Sequence, residues 1–166
     1  MTQYAEHQFP TEFSPESRVW IYQADRELSD QEADQIGKLL QEFTASWVSH
    51  NRQLLSTGAL LYNRFVVLMV DESRADASGC SIDKSVHFLK QLEEQFGISL
   101  FERMTFAWLD QAGSICTADR DEFARMYMDG RITSETLVFD HLVSTRQQFE
   151  EEWVKPLQDS WHKRMV

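Results

Sequence analysis

The stretch Ser78-Gly79-Cys80-Ser81-Ile82-Asp83-Lys84-Ser85 gathers a thiol, an ammonium, a carboxylate and three hydroxyls. An apolar run, Phe65 to Val70, precedes it, and an amphipathic segment opens at Ile82. The pattern predicts a strand, a loop and a helix, with small polar side chains at the helix opening. Unpaired backbone N–H groups and the positive end of the helix dipole meet at such a place, which suits an anion or a thiolate. Two chemistries follow. In the first, the N–H groups of residues 79–82 hold a small anion. Ser78, Ser81 and Ser85 then offer hydroxyls and Lys84 the countercharge, with Gly79, Cys80 and Asp83 in the same turn. In the second, Cys80 is a nucleophile. A nucleophile needs a base, and the candidates are His50, His87 and His141. His87 lies seven residues along the same helix and points about two turns away, so His50, or else His141, takes that role. The plainer reading of Cys80 is a small residue packing the turn.

Other chemistries fit less well. Against G-x-x-x-x-G-K-[ST] the stretch matches only at Lys84 and Ser85. Ser78 and Asp83 stand where the glycines would be, and an aspartate there sets negative charge against a phosphate. Nucleotide hydrolysis is therefore not expected. Asp71, Glu72, Asp76, Asp83 and Asp110 fall near predicted strand ends and offer oxygen ligands, but their spacing matches no cation-binding loop. The five histidines form no H-x-x-x-H or H-E-x-x-H pair. No metal and no cofactor are expected.

The elements that must position these residues can be read from period and caps. Residues 1–17, with Pro10 and Pro15, show no period and are expected to form a partly ordered arm. Residues 18–24 read as a strand. Ser29 to Glu32 is a capping box. Behind it Ile36, Leu40, Phe43 and Trp47 share one face of a helix expected to run to about His50. Residues 53–61 and 64–72 read as a hairpin, with the second strand central because it is more apolar. A helix over about 82–96 stops at Gly97. Residues 103–109 and 115–118 read as strands, and a helix opens at Asp119. Ser144 to Gln147 reads as a second capping box, and Phe149, Trp153, Leu157 and Trp161 recur every fourth residue of a helix kinked at Pro156. The order strand, helix, strand, strand, helix, strand over 18–109 is that of a ferredoxin-like two-layer α+β sandwich. The expectation is a single α+β domain over 18–166 with a helical C-terminal extension.

Composition narrows the partners. Sixteen basic against 27 acidic residues leave a net charge of −11, which argues against nucleic acid and against anionic membranes. The six-residue apolar run is far too short to span a bilayer. Residues 1–13 do not resemble a signal peptide, and two cysteines make no disulfide framework. These features place the chain in the cytoplasm as an expectation. Trp161 and Met165, if exposed, would be anchors for a partner or a second copy of the chain.

Three segments carry a resemblance. Trp20 to Leu28 reads W-I-Y-Q-A-x-R-x-L. Residues 71–85 hold D-x-S ahead of S-G-C-S-I-D-K-S, and Trp153 to Trp161 reads W-x-x-P-L-x-x-S-W. Together they resemble a small uncharacterised bacterial family often labelled "ABC transporter ATPase". The resemblance spans roughly 18–161 and implies no defined activity. The label asks for a Walker A loop and an LSGGQ-like segment. The first is degenerate here and the second absent. The expected function is a binding module for a partner protein or a small anionic ligand at residues 78–85. The alternative is a thiol-dependent enzyme with Cys80 as nucleophile.

Overall fold

The apolar run at residues 65–70 needs cover on both of its faces, and the architecture follows from how that cover is supplied. In the computed structural model, which describes residues 9–166, the run lies within strand β5 (Phe65–Asp71), and all seven of its residues are buried. β5 is the centre of an antiparallel sheet of order β1-β5-β4, with β1 at Arg18–Gln23 and β4 at Leu55–Leu61. Val66, Leu68 and Val70 face helices α1 (Asp30–Ala45) and α2 (Gly79–Phe96) in one apolar cluster with Ile36, Leu40, Leu89 and Leu92. Phe65, Val67 and Met69 point the other way, as period 2 requires. They meet Ala107, Leu109, Phe139, Phe149 and Trp153 in a second cluster.

That second cluster belongs to a second sheet, of order β7-β6-β8-β9. Its strands are β6 (Thr105–Leu109), β7 (Ile115–Asp119), β8 (Leu137–Phe139) and β9 (Val154–Pro156). Its far face buries Phe106, Trp108 and Val138 against Phe123 of helix α3 (Arg120–Met128) and against Leu157, with Trp161 and Met165 packed at the edge. The result is an α+β structure in four layers: helices, sheet, sheet, helix.

A ferredoxin-like sandwich sets its fourth strand beside its first. Here β6 pairs with β7 and β8 instead. Among the described residues, the outer edge of β1 receives an isolated bridge from Arg18 to Thr145, with Val19 N donating to Ser144 O at 3.0 Å. The expected single sheet is thus two sheets. The physical reason is visible in β6, which is apolar at four successive positions from Phe106 to Leu109 and buries all of them. A strand of that kind is covered on both faces.

Local chemistry explains most boundaries. Ser29 and Glu32 form the capping box of α1. Tyr62 and Asn63 both have φ near +55° in the β4–β5 turn, the left-handed pair that a tight hairpin wants. α1 stops at Ala45 rather than near residue 50, because Trp47 turns inward and its Nε1 donates to Ser81 O at 2.8 Å. A small hairpin follows, β2 (Val48–Ser49) and β3 (Arg52–Gln53), with His50 and Asn51 at positive φ in its turn.

The C-terminal extension is only briefly helical. Thr145, not Ser144, caps α4 (Arg146–Glu152) by accepting from Gln148 N. Trp153 then leads into β9, where Pro156 lies opposite Leu137. A proline has no N–H to give a ladder and is tolerated on such an edge strand. Two 3-10 turns, Leu157–Asp159 and Trp161–Met165, finish the chain. Residues 9–17 lie against the body: Phe9 and Phe13 join the inter-sheet cluster, and Arg146 Nη1 donates to Phe13 O at 3.0 Å. Residues 1–8 of the expected arm lie outside the described residues. Among the described residues, no helix is long and apolar enough to cross a membrane.

Gly58 in β4 lies where α1 packs on the sheet. A Cβ there would stand 3.0 Å from Leu68 Cδ2 and 3.3 Å from Leu40 Cδ2, both on fully buried side chains. Replacing glycine gains about 0.4–1 kcal/mol through the unfolded chain, whereas overpacking costs about 1–3 kcal/mol. The crowding should win. Gly58→Ala is expected to lower the urea midpoint by the equivalent of about 1 kcal/mol, and an unchanged or raised midpoint would show that the two leucines yield freely.

Candidate functional site

The turn at Ser78–Ser85 is part of a helix from Gly79 onward, three residues earlier than its period suggested. Ser78 is the N-cap and its Oγ accepts from Ser81 N at 3.1 Å. Ser81 Oγ donates to Ser78 O at 2.8 Å and Ser85 Oγ to Ile82 O at 2.6 Å. Both of these serines are buried on the inner face of α2, and Ser81 O takes the Trp47 indole. The three hydroxyls are thus turned onto the helix's own backbone, as serine side chains readily do. Gly79, Cys80, Asp83 and Lys84 are exposed. Asp83 and Lys84 border a shallow groove with Phe43, Trp47, His87 and Phe88.

Cys80 is exposed and free and makes no hydrogen bond to a histidine among the described residues. His50 sits exposed in the β2–β3 turn. His141 has both ring nitrogens engaged elsewhere. Cys116 is half-buried on β7, where burial, followed by the nearby Asp110 carboxylate, raises its thiol pKa. Three of the acidic residues near the strand ends accept from backbone N–H groups. Asp71 accepts from Ser14 N and Ser73 N, Glu72 from Ala77 N, and Asp110 from Ala112 N and Ser114 N. Among the described residues, no three His, Cys, Asp or Glu side chains gather to hold a metal ion.

A different place collects polar groups inside the protein. Where β1 ends at Gln23, the two sheets are joined by side chains. Trp153 Nε1 donates to His141 Nδ1 at 3.1 Å, His141 Nε2 lies 2.8 Å from Gln23 Oε1, and Gln23 Nε2 donates to Thr105 O at 3.2 Å. An indole N–H can only donate, so Nδ1 is the acceptor. The proton of His141 therefore resides on Nε2 and points at Gln23. The relay runs from Trp153, just ahead of β9, through the loop after β8 and the end of β1 to β6. It supplies polar links where a β1–β6 ladder would have run.

Beside it lies a second polar cluster. Asp140 is buried and accepts from Trp161 Nε1 at 3.0 Å and Leu142 N at 2.9 Å, and its Oδ2 meets Lys155 Nζ at 2.8 Å. His162, 1% exposed, stacks on Trp161 with ring centroids 3.9 Å apart. Its Nδ1 is 2.6 Å from Ser160 Oγ. Ser160, His162 and Asp140 are the residue types of a hydrolytic triad, but the geometry is wrong for one. Ser160 is buried, touches Nδ1 of a residue two positions away and caps the last 3-10 turn. Ser160 Oγ already accepts from His162 N at 3.4 Å. The Ser160 hydroxyl and Nδ1 thus satisfy each other within one turn, and the His162 ring borders the cavity beside it.

Between these clusters is a cavity of about 380 Å³. Gln23, Phe106, Phe139, His141, Trp161 and His162 form its inner walls, and Met104 and Leu142, 43% and 67% exposed, stand at its mouth with Glu102 and Arg103. Arg103 Nη1 donates to Ile21 O at 3.1 Å and the guanidinium lies 5.4 Å over the Tyr22 ring. A larger depression of about 540 Å³ between the Tyr62 and Gly113 turns has no buried residue in its lining. Enclosure and convergent polar groups favour the inter-sheet cavity. The residue types at positions 23, 103, 106, 139, 141, 161 and 162 follow no spacing motif. The one sequence signal was the double-sided apolar run of β6, which requires a second layer over the first sheet.

Compared with known proteins, the chain matches no protein-family model, no curated protein and no solved structure.

Both histidines are neutral at pH 7. Burial, aided by the charges of Arg103 and His162, pushes His141 down to about 3, against a smaller opposing pull from Asp140. Burial likewise lowers His162 to about 4. In the unfolded chain each protonates near 6.5. Between these limits the unfolded state binds more protons, so this contribution is complete above pH 6.5 and is lost as pH falls toward the folded values. Each group adds a slope of about 1.4 kcal/mol per pH unit. His141→Phe strands the Trp153 indole and the Gln23 amide, and should cost about 1–3 kcal/mol at pH 7.5. The deficit should shrink from pH 6.5 to 4.5, because only the parent carries the His141 penalty. Urea titrations across that range give the answer, and a pH-independent deficit would mean that His141 titrates normally.

Proposed function

We propose that the protein is a binding module whose ligand is a small molecule held in the cavity between the two sheets. The observation that carries this reading is the cavity itself: apolar walls from Phe106, Phe139 and Trp161, with the polar side chains of Gln23, His141 and His162 converging on it. Apolar walls with a few placed polar groups are the usual composition of a ligand site. The reading keeps the small-ligand expectation and moves it from residues 78–85 to the other side of the first sheet. At the turn, the N–H groups of Gly79 and Cys80 and the Lys84 ammonium remain for an anion, while the serine hydroxyls are already used. A thiol chemistry at Cys80 has no histidine partner among the described residues to support it.

Indole, planar and uncharged, is a suitable first probe. Titrated into labelled protein, it should shift the amide signals of Phe106, Phe139 and Leu142 and the indole N–H of Trp161. Leu142→Trp, an exposed change at the mouth, should weaken these shifts several-fold while leaving the melting temperature within about 2 °C, since surface substitutions are nearly neutral. Shifts confined to residues 79–85, or an inorganic phosphate titration that moves only those residues and saturates, would return the site to the helix opening.

A further inference from the structure

The charges around the cavity narrow what it can hold. Arg18, Arg26, Arg131 and Arg146 each pair with an acidic side chain, Glu72, Glu32, Asp129 and Glu150 respectively. Arg103, at the cavity mouth, has no carboxylate partner among the described residues. One N–H goes to Ile21 O, and a guanidinium has five to give. Neither of the acids nearby forms an ion pair with Arg103. Glu102 accepts from Met104 N, and Asp140 is taken by Lys155, Trp161 Nε1 and Leu142 N. The two imidazoles carry no charge at pH 7. The Arg103 guanidinium is therefore without an ion-pair partner at the entrance, and its charge adds to burial in lowering the His141 pKa.

The walls are flat and aromatic. Phe106 stands edge-on to both Trp161 and His162, with centroids at 5.4 and 5.1 Å. A planar ring fits such a slot better than a branched chain, because offset and edge-to-face contacts add about 0.5–1.5 kcal/mol beyond area. The cavity lies near the small end of ligand sites.

Resting on the binding role proposed above, we infer that the cavity takes a small aromatic monocarboxylate, its carboxylate on Arg103 at the mouth and its ring packed against Phe106 and Trp161. A carboxylate matches the guanidinium fork in a way that a neutral ester does not.

Benzoate and methyl benzoate test this with the full-length protein at pH 7, read by the same amide shifts. Benzoate should bind at least about ten-fold more tightly than its ester. Arg103→Gln should abolish that preference by weakening benzoate about ten-fold while leaving the ester within two-fold, and Arg103→Lys should retain part of it, having the charge without the fork. A melting curve within a few degrees of the parent confirms that each variant is folded. Equal binding of acid and ester, or a preference that survives Arg103→Gln, would overturn the carboxylate assignment and leave the cavity as a binding site. Binding of neither compound, or shifts outside the cavity, would overturn both readings together.

Discussion

The two-sided burial of β5 is the constraint from which the other layers follow. A strand with seven buried residues cannot sit on the surface of a two-layer sandwich. Each face must be matched by another apolar surface, because exposing a single large side chain forfeits about 1.5–3 kcal/mol. Helices α1 and α2 satisfy one face. The second sheet satisfies the other, and it can do so only by leaving the edge of β1 and stacking over β5. Two sheets packed face to face then need their own outer cover, which α3 and the last 3-10 turns supply through Phe123 and Trp161.

Stacking the sheets leaves a polar problem at the end of β1. There the Gln23 side chain, with Trp153 and His141, bridges to Thr105 on β6. A side-chain relay holds strands at a greater separation than a ladder does, since the 4.7–4.9 Å spacing of paired strands is no longer imposed. The gap so created is the cavity. Its polar lining and its apolar walls have one origin: the first are the links that tie the sheets, the second are the inner and outer faces of β6 and β8.

Local features were legible in the sequence because their chemistry is local. The capping box at Ser29 and Glu32, the hairpin around Asn63, the central position of residues 65–70 and the stop at Gly97 each rest on a few adjacent residues. The second sheet was not legible, since element order through Leu109 fits one sheet as well as two and the discriminating strands, β8 and β9, are three residues long. Period 4 at Phe149, Trp153, Leu157 and Trp161 reads as helix, yet Trp153 belongs to the inter-sheet core and Trp161 to the outer layer. Tertiary packing overrode the local pattern there. The Ser78–Ser85 stretch shows the opposite error. Its hydroxyls looked available because sequence does not reveal that serines at a helix start bond back to the helix itself.

The electrostatics of the second sheet follow from the same packing. A chain of net charge −11 would be expected to repel acids. Exposed charges act weakly at a distance in salt, however, with a screening length near 8–10 Å, so what matters to a ligand is the balance within the cavity. There Asp140 is paired with Lys155 and the imidazoles are neutral through burial, while the Glu102 carboxylate and the Arg103 guanidinium both border the mouth. A cation within hydrogen-bond reach of a bound carboxylate exerts more influence than the surface total, because screening grows with distance. The proposed selectivity for a carboxylate thus rests on one residue from a loop, Arg103, held in place by the backbone of β1 and the ring of Tyr22.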